Sequence, residues 1–211
     1  MSSIKQQFES KLPNGIKVNS SNKPILSNQY LKKLKLTQPV GVVFYISPLK
    51  KSINSLTEFL KIKVIDAIIS GMRYPSGLLH SRLRGQELVY VVHTAHLKLA
   101  NNHMLFTYAL TSPKHVATTS KIIRQSLVDT QDITDAEFKS AKTQVLFNFQ
   151  DMAQNIQSQT TQLLLFDQLF GELYSDTAIT QTLNGISIYD VQDYINQNIP
   201  NQFILKINQS P

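Results

Sequence analysis

The chain has 211 residues, of which 42% are hydrophobic and 17% are charged, and it contains no cysteine. This composition is typical of a folded protein, and the length suffices for one core that buries about 70% of the unfolded surface. The lack of cysteine excludes a disulfide framework, a thiolate zinc site, an iron–sulfur cluster and a cysteine nucleophile, but it leaves the compartment open. No run of about 18 apolar residues is present, so we expect no membrane span.

The net charge of +7 is concentrated at the N-terminal end of the chain. Residues 1–40 carry seven lysines and a single acid, Glu9, whereas the remainder is nearly neutral. Because this stretch has no arginine and few aromatic residues, we predict a solvated basic arm or linker over residues 1–38, with a phosphate-binding arm as the alternative. Residues 39–211 are predicted to form the folded domain, and nucleic acid is not the expected partner.

The folded part begins with a strand and a broad apolar helix. Residues 40–47 are a continuous run of β-branched and aromatic side chains that ends at Pro48, which is typical of a buried strand. Residues 52–71 carry apolar side chains at helical spacing, and Gly71 is placed to end that helix. Residues 78–84 have the length of one or two helical turns.

An antiparallel hairpin follows. Residues 88–99 and 103–111 are rich in strand-forming residues, and the asparagines between them suit a turn. The odd-numbered positions of the first strand, including His93, are mostly apolar, so we expect them to face the core.

From Pro113 onward the pattern is helical almost to the end. Thr134 and Glu137 have the spacing of a capping box that opens a long helix. Further helical segments are predicted at residues 159–170, at 176–183 and after Ser187, before a final strand at 202–207. The order of strand, helix, hairpin, helices and strand predicts an α+β fold, with a mostly antiparallel sheet and helices packed on one face.

Motif tests do not indicate catalysis by this chain alone. His93 and His96 are three residues apart in a predicted strand, which places them on opposite faces, and His103 is expected to be exposed. No His-Glu-x-x-His, His-x-x-Glu-His, Gly-x-Ser-x-Gly or phosphate-binding glycine motif occurs in the sequence. We therefore predict no catalytic residue, metal ligand or cofactor in this chain.

One local cluster is unusual. Residues 81–92 place Arg82, Arg84 and Gly85 directly before the hairpin strand that contains Tyr90. Because glycine permits a sharp approach from helix to strand, Arg84 is expected to lie near Tyr90. A guanidinium and a phenol are both suited to bind the backbone carbonyls of an extended peptide. The alternative is an arginine that lies over the sheet end and a tyrosine packed in its strand.

Several segments carry a recognisable set of motifs in order. They are a helix ending at Ile-Ser-Gly71, Leu79-His-Ser-Arg-Leu-Arg84, Leu88-Val-Tyr-Val-Val92, Thr134-Asp-Ala-Glu-Phe-Lys-Ser-Ala-Lys142 and Ile186-Ser-Ile-Tyr-Asp-Val191. In this order they resemble the non-catalytic, C-terminal-type domain of the M16 (pitrilysin/insulinase-like) metallopeptidase family. The resemblance covers residues 40–207, about four fifths of the chain.

The resemblance implies a clamshell of two homologous halves, in which the other half carries zinc on His-x-x-Glu-His. The zinc-free half contributes an arginine and a tyrosine that hold the substrate backbone, which here would be Arg84 and Tyr90. Arg82 is the alternative arginine, because the spacing between arginine and tyrosine varies among members. Glu87 stands where the family usually has a glycine.

We therefore expect a zinc-less half of an M16-type peptidase, either a piece of a longer chain or a separate subunit. It would pair with a catalytic half, hold an extended peptide and take part in proteolysis with zinc supplied by that partner; a homodimer is also retained. The alternatives are a structural assembly subunit with an idle cleft and an anion-binding module that uses the basic arm. The sequence does not distinguish periplasm, cytoplasm and mitochondria.

Overall fold

A computed structural model describes residues 29–33, 40–50, 53–71, 76–99, 102–198 and 203–208. The strands are β1 (Gln29–Lys33), β2 (Gly41–Pro48), β3 (Val89–Leu99), β4 (Asn102–Thr111) and β5 (Phe203–Asn208). The helices are α1 (Leu56–Ser70), α2 (Val116–Asp129), α3 (Asp135–Ala153), α4 (Ile156–Phe170), α5 (Asp176–Gly185) and α6 (Ile188–Asn198). A π-helical turn covers His80–Arg84. None of the described helices is long and apolar enough to cross a membrane.

The five described strands form one sheet in the order β1-β5-β2-β4-β3. β4 is antiparallel to both of its neighbours, β2 and β3, and β5 is antiparallel to β2. β1 is parallel to its neighbour β5. The hairpin of β3 and β4 pairs Thr94 with Thr107 and Leu99 with Asn102. The predicted α+β fold with a mostly antiparallel sheet is therefore confirmed.

Strand β1 lies within the segment that the sequence assigned to an arm or linker. Gln29–Lys33 pairs with β5, from Gln29 opposite Ile204 to Lys33 opposite Asn208. These five residues are therefore part of the sheet, although their lysine-rich composition masks the strand pattern. Residues 1–28 and 34–39 lie outside the described residues, so the arm stays a prediction there.

Helices cover one face of the sheet. The Tyr45 hydroxyl on β2 donates to the Ser120 carbonyl oxygen in α2 over 2.6 Å. On the same face, Thr94 and Thr107 share a hydroxyl hydrogen bond of 2.9 Å, and the Thr94 N–H donates to Ser70 Oγ in α1. These polar groups are fully buried but paired, as buried polar groups are expected to be.

The face assigned to the core from the pattern of β3 is wrong. The even positions of β3 after Tyr90, such as Thr94, point toward the helices, whereas the odd positions, such as His93, lie on the opposite face, which we call the open face. Both faces of the hairpin carry apolar residues. On the side beneath the helices the apolar surface comes from β4, with Leu105 and Ala109. Alternation alone therefore did not identify the core side.

The helix boundaries follow their capping signals. The Ser55 hydroxyl accepts the N–H of Glu58 at the start of α1, and Gly71 ends that helix with a φ of 63°, which favours glycine. The predicted capping box of Thr134 and Glu137 is present at the start of α3. Further along α3, Lys142 Nζ donates to the Ile186 carbonyl oxygen over 2.9 Å, which fastens α3 to the end of α5.

Candidate site at the start of strand β3

The π-helical turn before β3 is shaped by a close backbone approach. The Gly85 N–H donates to the His80 carbonyl oxygen, and the Leu88 N–H donates to that of Leu83. A Cβ atom at Gly85 would lie 2.6 Å from the Ser81 carbonyl oxygen, closer than any side chain tolerates. Glycine is therefore required here because there is no room for a Cβ atom, and not because of its φ. Its absence of a side chain allows a sharp change of direction from the turn into the strand. π-Helical turns are rare and are frequent at functional sites.

Two irregularities then direct Tyr90 away from the sheet. Glu87 has a φ of 55°, the left-handed region that glycine occupies most readily. A bulge follows, in which Val89 pairs with Thr111 and Val91 pairs with Leu110, so that Tyr90 has no partner on β4. The side chain of Tyr90 is 64% exposed as a result.

The two candidate arginines have different environments. Arg82 Nη1 contacts the Asp129 carboxylate and the Ser126 hydroxyl at the end of α2, so its guanidinium is half-buried and already engaged. Arg84 is exposed, and the structure describes no hydrogen bond or ion pair for its side chain. The structure therefore leaves the guanidinium of Arg84 available to a ligand and commits that of Arg82 to the fold.

Tyr90 lies at the beginning of β3, an edge strand, and Arg84 lies in the π-helical turn that precedes it. In the described sheet β3 has one neighbour, β4, so its other side exposes backbone groups that an extended peptide can bind. Farther along β3 the Thr94 N–H is taken by Ser70, which blocks that position of the edge. The beginning of β3, next to the exposed Tyr90, lies outside that blocked position. No hydrogen bond is described between Arg84 and Tyr90.

The histidines are arranged differently from the prediction in one respect. His93 and His96 lie on opposite faces of β3, as predicted. His103, predicted to be exposed, is only 5% exposed: its Nδ1 and the Nε2 of His96 are 3.0 Å apart, and the two rings are nearly parallel. The prediction for His103 is wrong because a pairing across the hairpin, which depends on register, hides it. Burial, together with Lys63, lowers the pKa of His96 to about 3, and burial with Lys98 lowers that of His103.

A second group of polar residues, two of them with shifted pKa values, lies on α1, namely Lys63, Asp66 and Ser70. Asp66 is 4% exposed, and its carboxylate accepts a hydrogen bond from the Ser70 hydroxyl. Burial raises the pKa of Asp66 to about 7, although Lys63 and Ser70 both oppose the rise. Burial also lowers the pKa of Lys63, whose ammonium lies 5.3 Å from the centre of the Phe59 ring. Sequence patterns do not reveal the burial of Lys63 and Asp66, because both residues lie within a helix of otherwise ordinary pattern.

The described residues do not fit a zinc site. Over the described ranges no three His, Asp or Glu side chains lie close enough together to hold a metal ion. His96 and His103 use facing ring nitrogens on each other and have no carboxylate beside them. A catalytic zinc requires three protein ligands, so no chemical step can be assigned to a metal held by these side chains.

The family model of the Peptidase M16 inactive domain matches residues 4–145 of this sequence. The chain belongs to the M16 peptidase family. No curated protein matches it in sequence.

Solved structures share the fold of this M16 inactive domain. It is similar to the M16 inactive domain of Pseudomonas fluorescens, with 13% identity, a TM-score of 0.73 and coverage of 99% of this chain and 51% of that one. It is also similar to an M16-like peptidase of Alicyclobacillus acidocaldarius, with 8% identity and a TM-score of 0.75. That match covers 87% of this chain and 44% of the other. Complex III2 of Candida albicans contains a similar chain, with 18% identity and a TM-score of 0.73. The match covers 97% of this chain and 51% of that one. The M16 inactive domain described here therefore spans about half the length of these chains.

Proposed function

We propose that this chain is the zinc-free half of an M16-type peptidase. It pairs with a catalytic half that supplies zinc, and it holds an extended peptide at the start of β3. The observation that carries the proposal is the pair of exposed, unengaged side chains, Arg84 and Tyr90, beside the accessible beginning of an edge strand. Membership of the inactive-domain family supports the pairing.

The chemistry of the two side chains suits a peptide backbone. Arg84 can donate to one or two carbonyl oxygens through its planar guanidinium, and the Tyr90 hydroxyl can donate to another. Backbone contacts do not depend on the identity of the substrate side chains, so this half contributes affinity and orientation rather than sequence selectivity. Hydrolysis itself requires a metal-activated water, which the catalytic half would provide.

The test uses the complex of this chain with its native catalytic partner. Arg84→Ala and Tyr90→Phe should each lower kcat/KM for an extended peptide, by about tenfold or more for Arg84→Ala. Arg124→Ala and Tyr189→Phe are matched controls, because both residues are exposed and belong to helices rather than to the π-helical turn or β3. Unchanged kcat/KM in both site variants, with the complex still assembled, would reject the peptide-holding role.

The second candidate is a structural subunit whose cleft is idle. The similarity to a chain of Complex III2 favours it, because that chain is part of a large assembly. In that case Arg84→Ala would leave any activity of the assembly unchanged, whereas loss of the whole chain would prevent assembly. The same set of variants therefore distinguishes the two functions.

A further inference from the structure

One side of helix α4 carries apolar side chains that face the solvent. Ile156 is 84% exposed, Leu164 is 65% exposed and Leu163 is 39% exposed. Together with Thr160 they have the spacing of one stripe along a helix, which we call the α4 stripe. The Thr160 hydroxyl donates to the Ile156 carbonyl oxygen over 2.8 Å, so its proton is used within the helix. Exposed apolar side chains that are grouped in this way mark an interaction surface.

The segment that carries the α4 stripe has no charge. From Met152 to Phe166 the sequence contains no Asp, Glu, Lys, Arg or His, although the chain has a formal net charge of +7. The polar residues of this segment are amides and hydroxyls, which both donate and accept hydrogen bonds. A strongly charged partner would find no opposite charge here. A second copy of the chain would meet no like charge, and its amides would complement those of the first copy.

A recess borders the α4 stripe at Leu163. Its volume is about 250 Å³, which exceeds that of an isoleucine side chain, and its walls include Gln159, Leu163 and Tyr174. Its charged lining residue, Asp176, is exposed. Ile156 precedes Leu163 by two helical turns, about 10 Å along the axis. The helix therefore presents an apolar projection and a recess next to each other.

A two-fold axis would fill both recesses at once. In a symmetric dimer each surface contacts its own equivalent, so a projection and a recess on one surface are filled reciprocally. When two α4 helices lie antiparallel with the axis between Gln159 and Thr160, Ile156 of each copy lies opposite Leu163 of the other. The helix has 15 residues, so the contact is about 22 Å long. A contact of this length lies at the low end for specific interfaces, which predicts a weak and reversible dimer.

We propose that the α4 stripe binds a second copy of this chain through antiparallel α4 helices, with Ile156 of each copy in the recess beside Leu163 of the other. The lack of charge on the segment and the adjacent projection and recess select a second copy as the occupant. The inference is independent of the proposed peptide-holding role, because it uses α4 and neither the π-helical turn nor β3.

The absence of cysteine from the chain makes disulfide trapping a clean test. In the full chain, Thr160→Cys should form a disulfide-linked dimer under mild oxidation, observed by non-reducing electrophoresis. Thr161→Cys is the matched control, because Thr161 is also exposed and its hydroxyl also donates to a carbonyl oxygen of α4. It lies about 100° around the helix from Thr160, away from the axis. Thr160→Cys should cross-link at least about tenfold faster at equal concentration, and equal rates would overturn the proposal.

Sedimentation equilibrium provides a second readout that requires no cysteine. The unmodified chain should self-associate reversibly between about 10 and 500 µM. Ile156→Asp should abolish this association without a change in the unfolding midpoint, because the side chain is 84% exposed. Thr161→Asp is the control and should preserve the dimer.

A chain that stays monomeric over the whole concentration range would overturn the proposal. Equal losses of association in Ile156→Asp and Thr161→Asp would also overturn it, because they would show that the contact does not involve the α4 stripe. A monomeric chain in which Ile156→Asp weakens binding to the catalytic half would assign the surface to that partner instead of a second copy.

Discussion

Arg82 in the π-helical turn and Asp129 at the end of α2 form an ion pair that joins two distant parts of the chain. The Ser126 hydroxyl also contacts Arg82 Nη1, at 3.3 Å. A hydrogen bond from Gln125, with that of Arg82, holds the pKa of the Asp129 carboxyl below its usual range. The pair ties the turn to α2, and it explains why two arginines so close in sequence have different environments.

Breaking this ion pair should weaken the fold modestly. Arg82→Ala is expected to lower the free energy of unfolding by about 1 kcal/mol, because the pair is partly exposed and such pairs contribute little more. A double-mutant cycle with Asp129→Ala, measured by urea unfolding, isolates the interaction between the two side chains. Arg84→Ala is the control and should leave the unfolding midpoint unchanged; an equal loss in both variants would contradict the assignment of roles.

Glycine at position 87 should stabilise the protein. Glu87 has a φ of 55°, where a side chain incurs about 1 kcal/mol of strain relative to glycine. Glu87→Gly should therefore raise the free energy of unfolding by up to this amount, measured by chemical denaturation. Glu87→Ala removes the charge but keeps Cβ, so it should give no such gain. A gain of the same size in both variants would attribute the effect to the carboxylate instead.

The histidine pair should make the protein less stable in acid. The pKa of His96 in the folded protein, about 3, is below its unfolded value of 6.5. Below pH 6.5 the unfolded chain therefore binds a proton that the folded state does not bind. As the pH is lowered from 6.5 to about 3, the free energy of unfolding decreases. His96→Gln, which cannot titrate, should reduce this dependence in unfolding curves recorded between pH 7 and pH 4. His115→Gln is the control, and an unchanged slope in His96→Gln would contradict the buried neutral pair.

Asp66 should have the opposite effect on the pH dependence of stability, because its pKa is raised rather than lowered in the folded protein. Its folded pKa of about 7 exceeds the ordinary 3.8, so the folded state binds a proton that the unfolded chain has already lost in this interval. Stability from this group is present in acid and declines as pH rises through that interval. Asp66→Asn keeps an oxygen for the Ser70 hydroxyl and should be tolerated better at pH 8 than at pH 5, by thermal or urea unfolding. The reverse ranking would show that the carboxylate is stabilised as an anion.

Most elements of the fold could be predicted because their signals are local. The capping box at Thr134, the helix stop at Gly71 and the hairpin of β3 and β4 each depend on a few neighbouring residues. Strand β1 could not be predicted, because a short lysine-rich strand is identified by its pairing with β5. The core side of β3 was also missed, since both faces of the hairpin are apolar.

Some features of the candidate site can be predicted from the sequence, and others depend on contacts between distant residues. The motif around Arg84, Gly85 and Tyr90 was visible in the sequence, because glycine and arginine before a strand form a local pattern. The different environments of Arg82 and Arg84 depend on the position of Asp129, which is 47 residues away from Arg82. The outward direction of Tyr90 depends on a bulge opposite Thr111, which no spacing within residues 81–92 reveals.

We propose that this chain serves a peptidase without holding the catalytic metal itself. The most direct measurement is the zinc content of the purified full chain after equilibration with zinc and dialysis, together with its hydrolysis of an extended peptide. We predict zinc well below one ion per chain and no hydrolysis that EDTA abolishes. One tightly held zinc per chain, accompanied by EDTA-sensitive cleavage, would contradict the account.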